Sequence, residues 1–170
     1  IQWSKLYGTP NQNDEANSVI QTSDGGFVLL GYTNSLNLVD NVDVSKAWVL
    51  KLDNNGTIGW DVKLSNSHST IGKSIIQTTT NDFVVVGDTY SDENDFVGSM
   101  DRDYYVAKLN SSGTLLWQNK YGGSSTDRAM AVVQSTDGNY IVTGFSDSTD
   151  GMITDNKGGF DIWTIKINSN

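Results

Sequence analysis

The chain contains no cysteine, so neither a disulfide framework nor a thiolate metal site is open to it. Arginine is scarce as well. Arg102 and Arg128 are the only two, and 11 basic residues face 20 acidic ones over 170 residues, a formal net charge of −9. Phosphate contacts need clustered Lys and Arg, which argues against nucleic acid or an anionic membrane surface as a partner. His68 is the only histidine, and no serine phrase resembles an activated nucleophile, so no catalytic residues are expected. Carboxylate pairs of the kind used in glycoside hydrolysis can be drawn among the acids, but in so acidic a chain such pairs arise by chance. No apolar run is long enough to span a membrane. Position 1 is Ile with no signal peptide, which reads as a processed or excised product. Helical spacing is missing too, since no stretch keeps it for three turns.

What the chain has is a phrase stated three times with a period of 57 residues. Trp3, Trp60 and Trp117 open WSKLYG, WDVKLS and WQNKYG. A second phrase reads SVIQTSDGGFVLLGYT from Ser18, SIIQTTTNDFVVVGDT from Ser74 and AVVQSTDGNYIVTGFS from Ala131. A third reads WVLKLDNNGTIGW from Trp48, YVAKLNSSGTLLW from Tyr105 and WTIKINSN from Trp163. The chain is thus one repeat domain, with copies at about 3–59, 60–116 and 117–170 plus 1–2.

Within each copy the apolar residues alternate or run in blocks of four to six bounded by Gly, Asn, Asp or Ser. That pattern predicts four strands. In the second copy they fall at 73–78 (A), 83–89 (B), 103–110 (C) and 114–121 (D). The A–B and C–D links are short and hold residues that accept positive φ, such as Asp24-Gly25-Gly26 and Ser111-Ser112-Gly113, so each copy is expected to be a four-stranded antiparallel meander. The B strands are apolar on both faces and must be covered on both. Radial stacking of such units gives a β-propeller with strand A innermost, where Ala16, Gly72 and Ala129 suit a crowded centre. The expected fold is therefore all-β, a propeller with three blades per chain.

The copies are out of phase with the chain. Residues 1–7, with Ile1, Trp3, Leu6 and Tyr7, read as a D strand lacking its A, B and C. Residues 161–168, with Trp163, Ile165 and Ile167, read as a C strand lacking its D. The first strand is expected to pair with the last, in the same chain or in a neighbouring copy. Propellers use about four to eight blades, so three would leave the ring open. Two chains making six blades, further blades of a longer array, or a head-to-tail fibre all satisfy the pattern.

The phrases Asp161-Ile-Trp-Thr-Ile-Lys-Ile167, Tyr121-Gly-Gly-Ser-Ser-Thr-Asp-Arg-Ala129 and Asp137-Gly-Asn-Tyr-Ile-Val-Thr-Gly144 resemble the β-propeller repeats of secreted and cell-surface proteins of bacteria and archaea. The resemblance covers the whole chain and implies extracellular display, adhesion or scaffolding, with no catalytic residue to carry over. Kelch and WD repeats have shorter periods. Abundant Asn, Ser, Thr, Asp and Gly without Cys agree with an extracellular setting.

A four-stranded meander puts the D–A and B–C links at one end, and these are the long ones: 8–15, 34–46, 65–71, 90–102, 122–128 and 146–160. Long loops on a rigid scaffold make that end the candidate face for a glycan or protein ligand. The B–C loops and their exits carry Asp40, Asp43, Asp92, Glu93, Asp95, Asp101, Asp103, Asp147, Asp150, Asp155 and Asp161. Of these, Asp92, Asp95, Asp101, Asp147, Asp150 and Asp155 are the candidate binding residues. Asp147, Asp150 and Asp155 supply the hard oxygens that Ca²⁺ takes, although the spacing is not that of an EF-hand. The recurring tryptophans are read as packing between blades, and Lys51, Lys108 and Lys166 as solvated or paired with an acid of a neighbouring blade.

Overall fold

The computed structural model describes residues 1–37, 42–65, 69–90 and 101–169, with the side chains of 35–37 and 42–43 excepted. Eleven antiparallel strands and no helix are present among them. Sheet I is β1 (Asp14–Gln21), β2 (Phe27–Asn37), β3 (Val42–Leu52) and β4 (Ile58–Leu64). Sheet II is β5 (Thr70–Gln77), β6 (Phe83–Tyr90), β7 (Arg102–Leu109) and β8 (Leu115–Tyr121). Sheet III has three strands, β9 (Asp127–Gln134), β10 (Tyr140–Ser146) and β11 (Asp161–Ile167). Each sheet is a meander in chain order, and β1 packs on β5 and β5 on β9.

The turns follow from their residues. Gly25, Gly56, Gly113 and Gly138 all take positive φ, and in the second A–B turn Asn81 takes it at φ 65°. Asp53 Oδ1 accepts the N–H groups of Asn55 and Thr57, and Asn110 Oδ1 those of Ser112 and Thr114. These short side chains satisfy the turn backbone locally.

Every A strand carries a bulge at one place: the register shifts between Ala16 and Ser18, between Gly72 and Ser74, and between the partners Ala129 and Ala131. Opposite each bulge stands a glycine. A Cβ at Gly31, Gly87 or Gly144 would overlap the backbone carbonyl of Glu15, Ile71 or Arg128, so the bent strand can approach only a residue without a side chain.

Sheet II is the filling of the stack, with six of the eight β7 residues and seven of the eight β6 residues buried. Val28, Leu30, Val49, Leu64, Phe83, Val85, Tyr105 and Leu109 form the core between sheets I and II. Val84, Val86, Tyr104, Val106, Val132, Tyr140 and Val142 form the core between II and III. Each fully buried aliphatic side chain contributes about 1.5–3 kcal/mol, which is why the B strands read as unbroken apolar runs.

The structure departs from the sequence reading in three places. Residues 1–7 form no strand and do not pair with β11 in the same chain, because sheet II separates the two ends and the sheets close into no ring. The first B–C link is not a long loop: β2 and β3 continue as paired strands out to Asn37 and Val42. Lys51, Lys108 and Lys166 pair with Asp24, Asp82 and Asp137, the acids of their own sheet's first turn and not those of a neighbouring sheet, although Lys108 also donates to Ser169 O just past β11 at 3.2 Å.

Candidate interaction surfaces at the loop end and the stack ends

At the long-loop end of sheet III the backbone of 123–126 turns four consecutive N–H groups toward side-chain oxygens. Gly123 donates to Asp127 Oδ2 (2.8 Å), Ser124 to Asp150 Oδ1 (2.7 Å), Ser125 to Ser148 Oγ (3.0 Å) and Thr126 to Asp147 Oδ1 (2.7 Å). The loop 147–160 is thereby stitched to the loop before β9, with Met152 N–H on Gly122 O and Asp147 N–H on Thr126 O as further ties. Ser124, through its hydroxyl and its N–H, holds the Asp150 carboxyl below the usual carboxylate range.

Asp147 and Asp150 thus face backbone donors, while Asp155 pairs with Lys157. Among the described residues no group of three or more His, Asp or Glu could hold a metal ion. Asp101 lies at the mouth of β7, and Asp92, Glu93, Asp95, Asp40 and His68 fall outside the described residues. Asp127, which the sequence reading passed over, is the most enclosed acid of this end: it is fully buried, accepts from Gly123 N–H and Ser148 Oγ–H, and leaves Oδ1 without a partner.

The other surfaces are the two ends of the stack. Between sheets a tryptophan of the outer strand packs on the next sheet's second strand: Trp60 meets Phe83 edge-on at 5.8 Å, and Trp117 meets Tyr140 at 6.4 Å. Trp60 also lies against Gly113 in the β7–β8 turn, where a Cβ would come within 2.7 Å of its ring. Residues 1–7 repeat this arrangement on sheet I. Trp3 meets Phe27 edge-on at 6.4 Å, it lies against Gly56 of the β3–β4 turn, and Tyr7 Oη–H donates to Gly56 O at 2.6 Å. The segment therefore lies on sheet I as β4 lies on sheet II, without a sheet of its own. Around it Leu29, Leu30, Trp48 and Leu50 line a cavity of about 170 Å³.

At the far end β11 pairs with β10 alone. Beside its open edge Trp117, Asn119, Tyr121, Lys166, Ile167 and Asn168 line a cleft of about 280 Å³. Trp163 and Ile165 pack inward toward sheet II, with Trp163 4.5 Å from the Tyr104 ring, whereas Ile162 is exposed.

The recurrent Gln21, Gln77 and Gln134, spaced 56 and 57 apart, stand at one place in the second phrase. Gln77 Oε1 accepts Ser23 N–H and Gln134 Oε1 accepts Thr79 N–H, each reaching the first turn of the preceding sheet. Gln21 is exposed and has no preceding sheet to reach.

No family model matches this chain. Comparison with curated proteins finds no match either. No helix among the described residues is long and apolar enough to cross a membrane.

Proposed function

We propose that the protein is an extracellular structural or interaction protein of β-propeller type, its sheets serving as blades, that assembles with further copies of itself through its terminal strands. The observation that carries this reading is the pair of unmatched ends: a segment docked on sheet I in the manner of a fourth strand, and a three-stranded sheet whose outer edge is open. An open edge with free N–H and C=O groups is a template for another chain. The acidic, cysteine-free composition and the repeat resemblance support the extracellular setting.

Light scattering across a concentration series tests it. A defined multiple of the 18.5 kDa chain mass is expected, falling back to monomer on deletion of residues 1–7 and shifted toward monomer by Trp3→Ala. A monomer at every concentration overturns the reading.

The stitched loops of 122–126 and 147–160 favour a second reading, a rigid face for a glycan or protein ligand, with calcium as its accessory. Calcium that raises the melting temperature, with the rise blunted by Asp150→Ala, supports it. A melting curve identical in chelator and in excess calcium removes the metal.

A further inference from the structure

We infer that the joint between copies is a strand donation in one fixed register, in which residues 1–7 of one copy become the fourth strand of another copy's sheet III with Trp3 opposite Lys166 and Tyr7 opposite Ile162. This rests on the self-assembly reading above and adds its geometry.

The register comes from the two complete sheets. In sheet I, Lys51 stands opposite Trp60 and Ala47 opposite Leu64; in sheet II, Lys108 stands opposite Trp117 and Tyr104 opposite Tyr121. Both pairings shift by one residue just before the turn, so that Leu52 meets Ile58 and Leu109 meets Leu115. Carried along the repeat, the same pattern sets Lys166 against Trp3 and, past the shift, Ile167 against Ile1.

Side chains agree with the backbone. Trp48 Nε1–H donates to Asp61 at 2.8 Å and Tyr105 Oη–H to Gln118 at 2.7 Å; the matching pair across the joint is Trp163 and Ser4. Lys63 lies over the Trp48 ring at 5.2 Å, and the matching residue over Trp163 is Leu6. Leu6 is fully exposed in the single chain, and the donated strand sets it opposite Trp163, on the open edge of β11 where Asn119 and Tyr121 help to line the cleft. Gln21 then reaches the first turn of the partner's sheet III as Gln77 and Gln134 reach theirs, accepting from Thr136 N–H.

The donor does not have to rearrange. In the single chain the segment already lies on its own sheet I in the manner of β4 on sheet II, so it stays there while its free edge adds to the partner's β11. Such pre-ordering lowers the entropic cost of association. The contact is heterologous, each copy giving one strand and receiving one.

The test is a pair of cysteines in a chain that has none. Directly opposed residues in an antiparallel pair lie about 4.5–5.5 Å apart at Cα, within disulfide reach, while diagonal ones lie about 7–8 Å apart. Lys5→Cys with Thr164→Cys is the in-register pair, and Lys5→Cys with Ile162→Cys the displaced one. Mild oxidation should convert most of the first variant to covalent multimers on a non-reducing gel and only a trace of the second. An assembled protein that cross-links only through the displaced pair, or through neither, overturns the register while leaving self-assembly standing. A monomer by light scattering overturns both. Hydrogen exchange of the unmodified protein gives a check independent of the variants: amides of β11 should gain protection with concentration, and unchanged exchange in a sample shown to be assembled also overturns the joint.

Discussion

At Asp127 one carboxylate oxygen joins two loops while the other is buried with no donor. Asp127→Ala would leave Gly123 N–H and the Ser148 hydroxyl unmet, a loss of about 1–3 kcal/mol for each buried group left unsatisfied. Urea denaturation should show the midpoint falling at unchanged slope, and a midpoint equal to the parent's would refute the joining role. Asp24 and Asp137 act differently because they are exposed. The Thr22 hydroxyl, then Lys51, hold Asp24 well below its ordinary 3.8, and Lys166, then Ser135, do the same for Asp137. A carboxylate depressed in the folded state contributes stability that is fully present above the unfolded value and is lost as pH falls through the folded one. Acidification from pH 5 toward pH 2 should therefore lower the melting temperature. Asp24→Asn with Asp137→Asn should flatten that slope modestly, solvent screening keeping the effect small. Equal slopes in parent and double variant would sink the assignment.

Each sheet depends on a bulged first strand facing a glycine. Gly87→Ala places a methyl group on the Ile71 carbonyl within the buried middle sheet, and forced overpacking of this kind costs about 1–3 kcal/mol. An alanine variant as stable as the parent in urea would show that the bulge can move aside. The outer strands lean on their tryptophans. Trp60→Ala removes the ring between Phe83 and Gly113, and because Trp60 is only half-buried the loss should fall near or below the low end of the about 3–5 kcal/mol typical of a core tryptophan. Trp3→Ala should cost the single chain less, since Trp3 is 41% exposed there. If both variants lose equal stability as monomers, Trp3 is already as well packed as Trp60.

Across the whole molecule stability is uneven. Sheet II has neighbours on both faces, whereas sheet I has only the short N-terminal segment on its outer side and sheet III leaves Val133, Ile162 and Phe160 exposed. Hydrogen exchange of a dilute sample should find the slowest amides in β6 and β7 and the fastest strand amides in β11. Uniform protection across the sheets would contradict the picture of a stack with unfinished ends.

Much of this was legible in the residues alone. Alternation and turn chemistry are local properties of the backbone, so the second copy's strands at 73–78, 83–89, 103–110 and 114–121 lie within three residues of β5 to β8 at every boundary. The period likewise marked Trp60 and Trp117 as packing residues before their partners Phe83 and Tyr140 were known. What required tertiary structure was anything set by distance between copies. The pattern leaves the lysines either solvated or paired with a neighbouring sheet's acid, whereas they pair within their own sheet, because the strand C lysine and the first turn meet only once register is set. Composition makes the loop acids candidate binding residues but does not say which way a carboxylate faces; that Asp147 and Asp150 accept backbone N–H groups follows only once loops 122–126 and 147–160 meet. Residues 1–7 read as a strand because their pattern is that of a strand. Whether a strand forms depends on an edge to pair with, and within one chain sheet II keeps that edge out of reach.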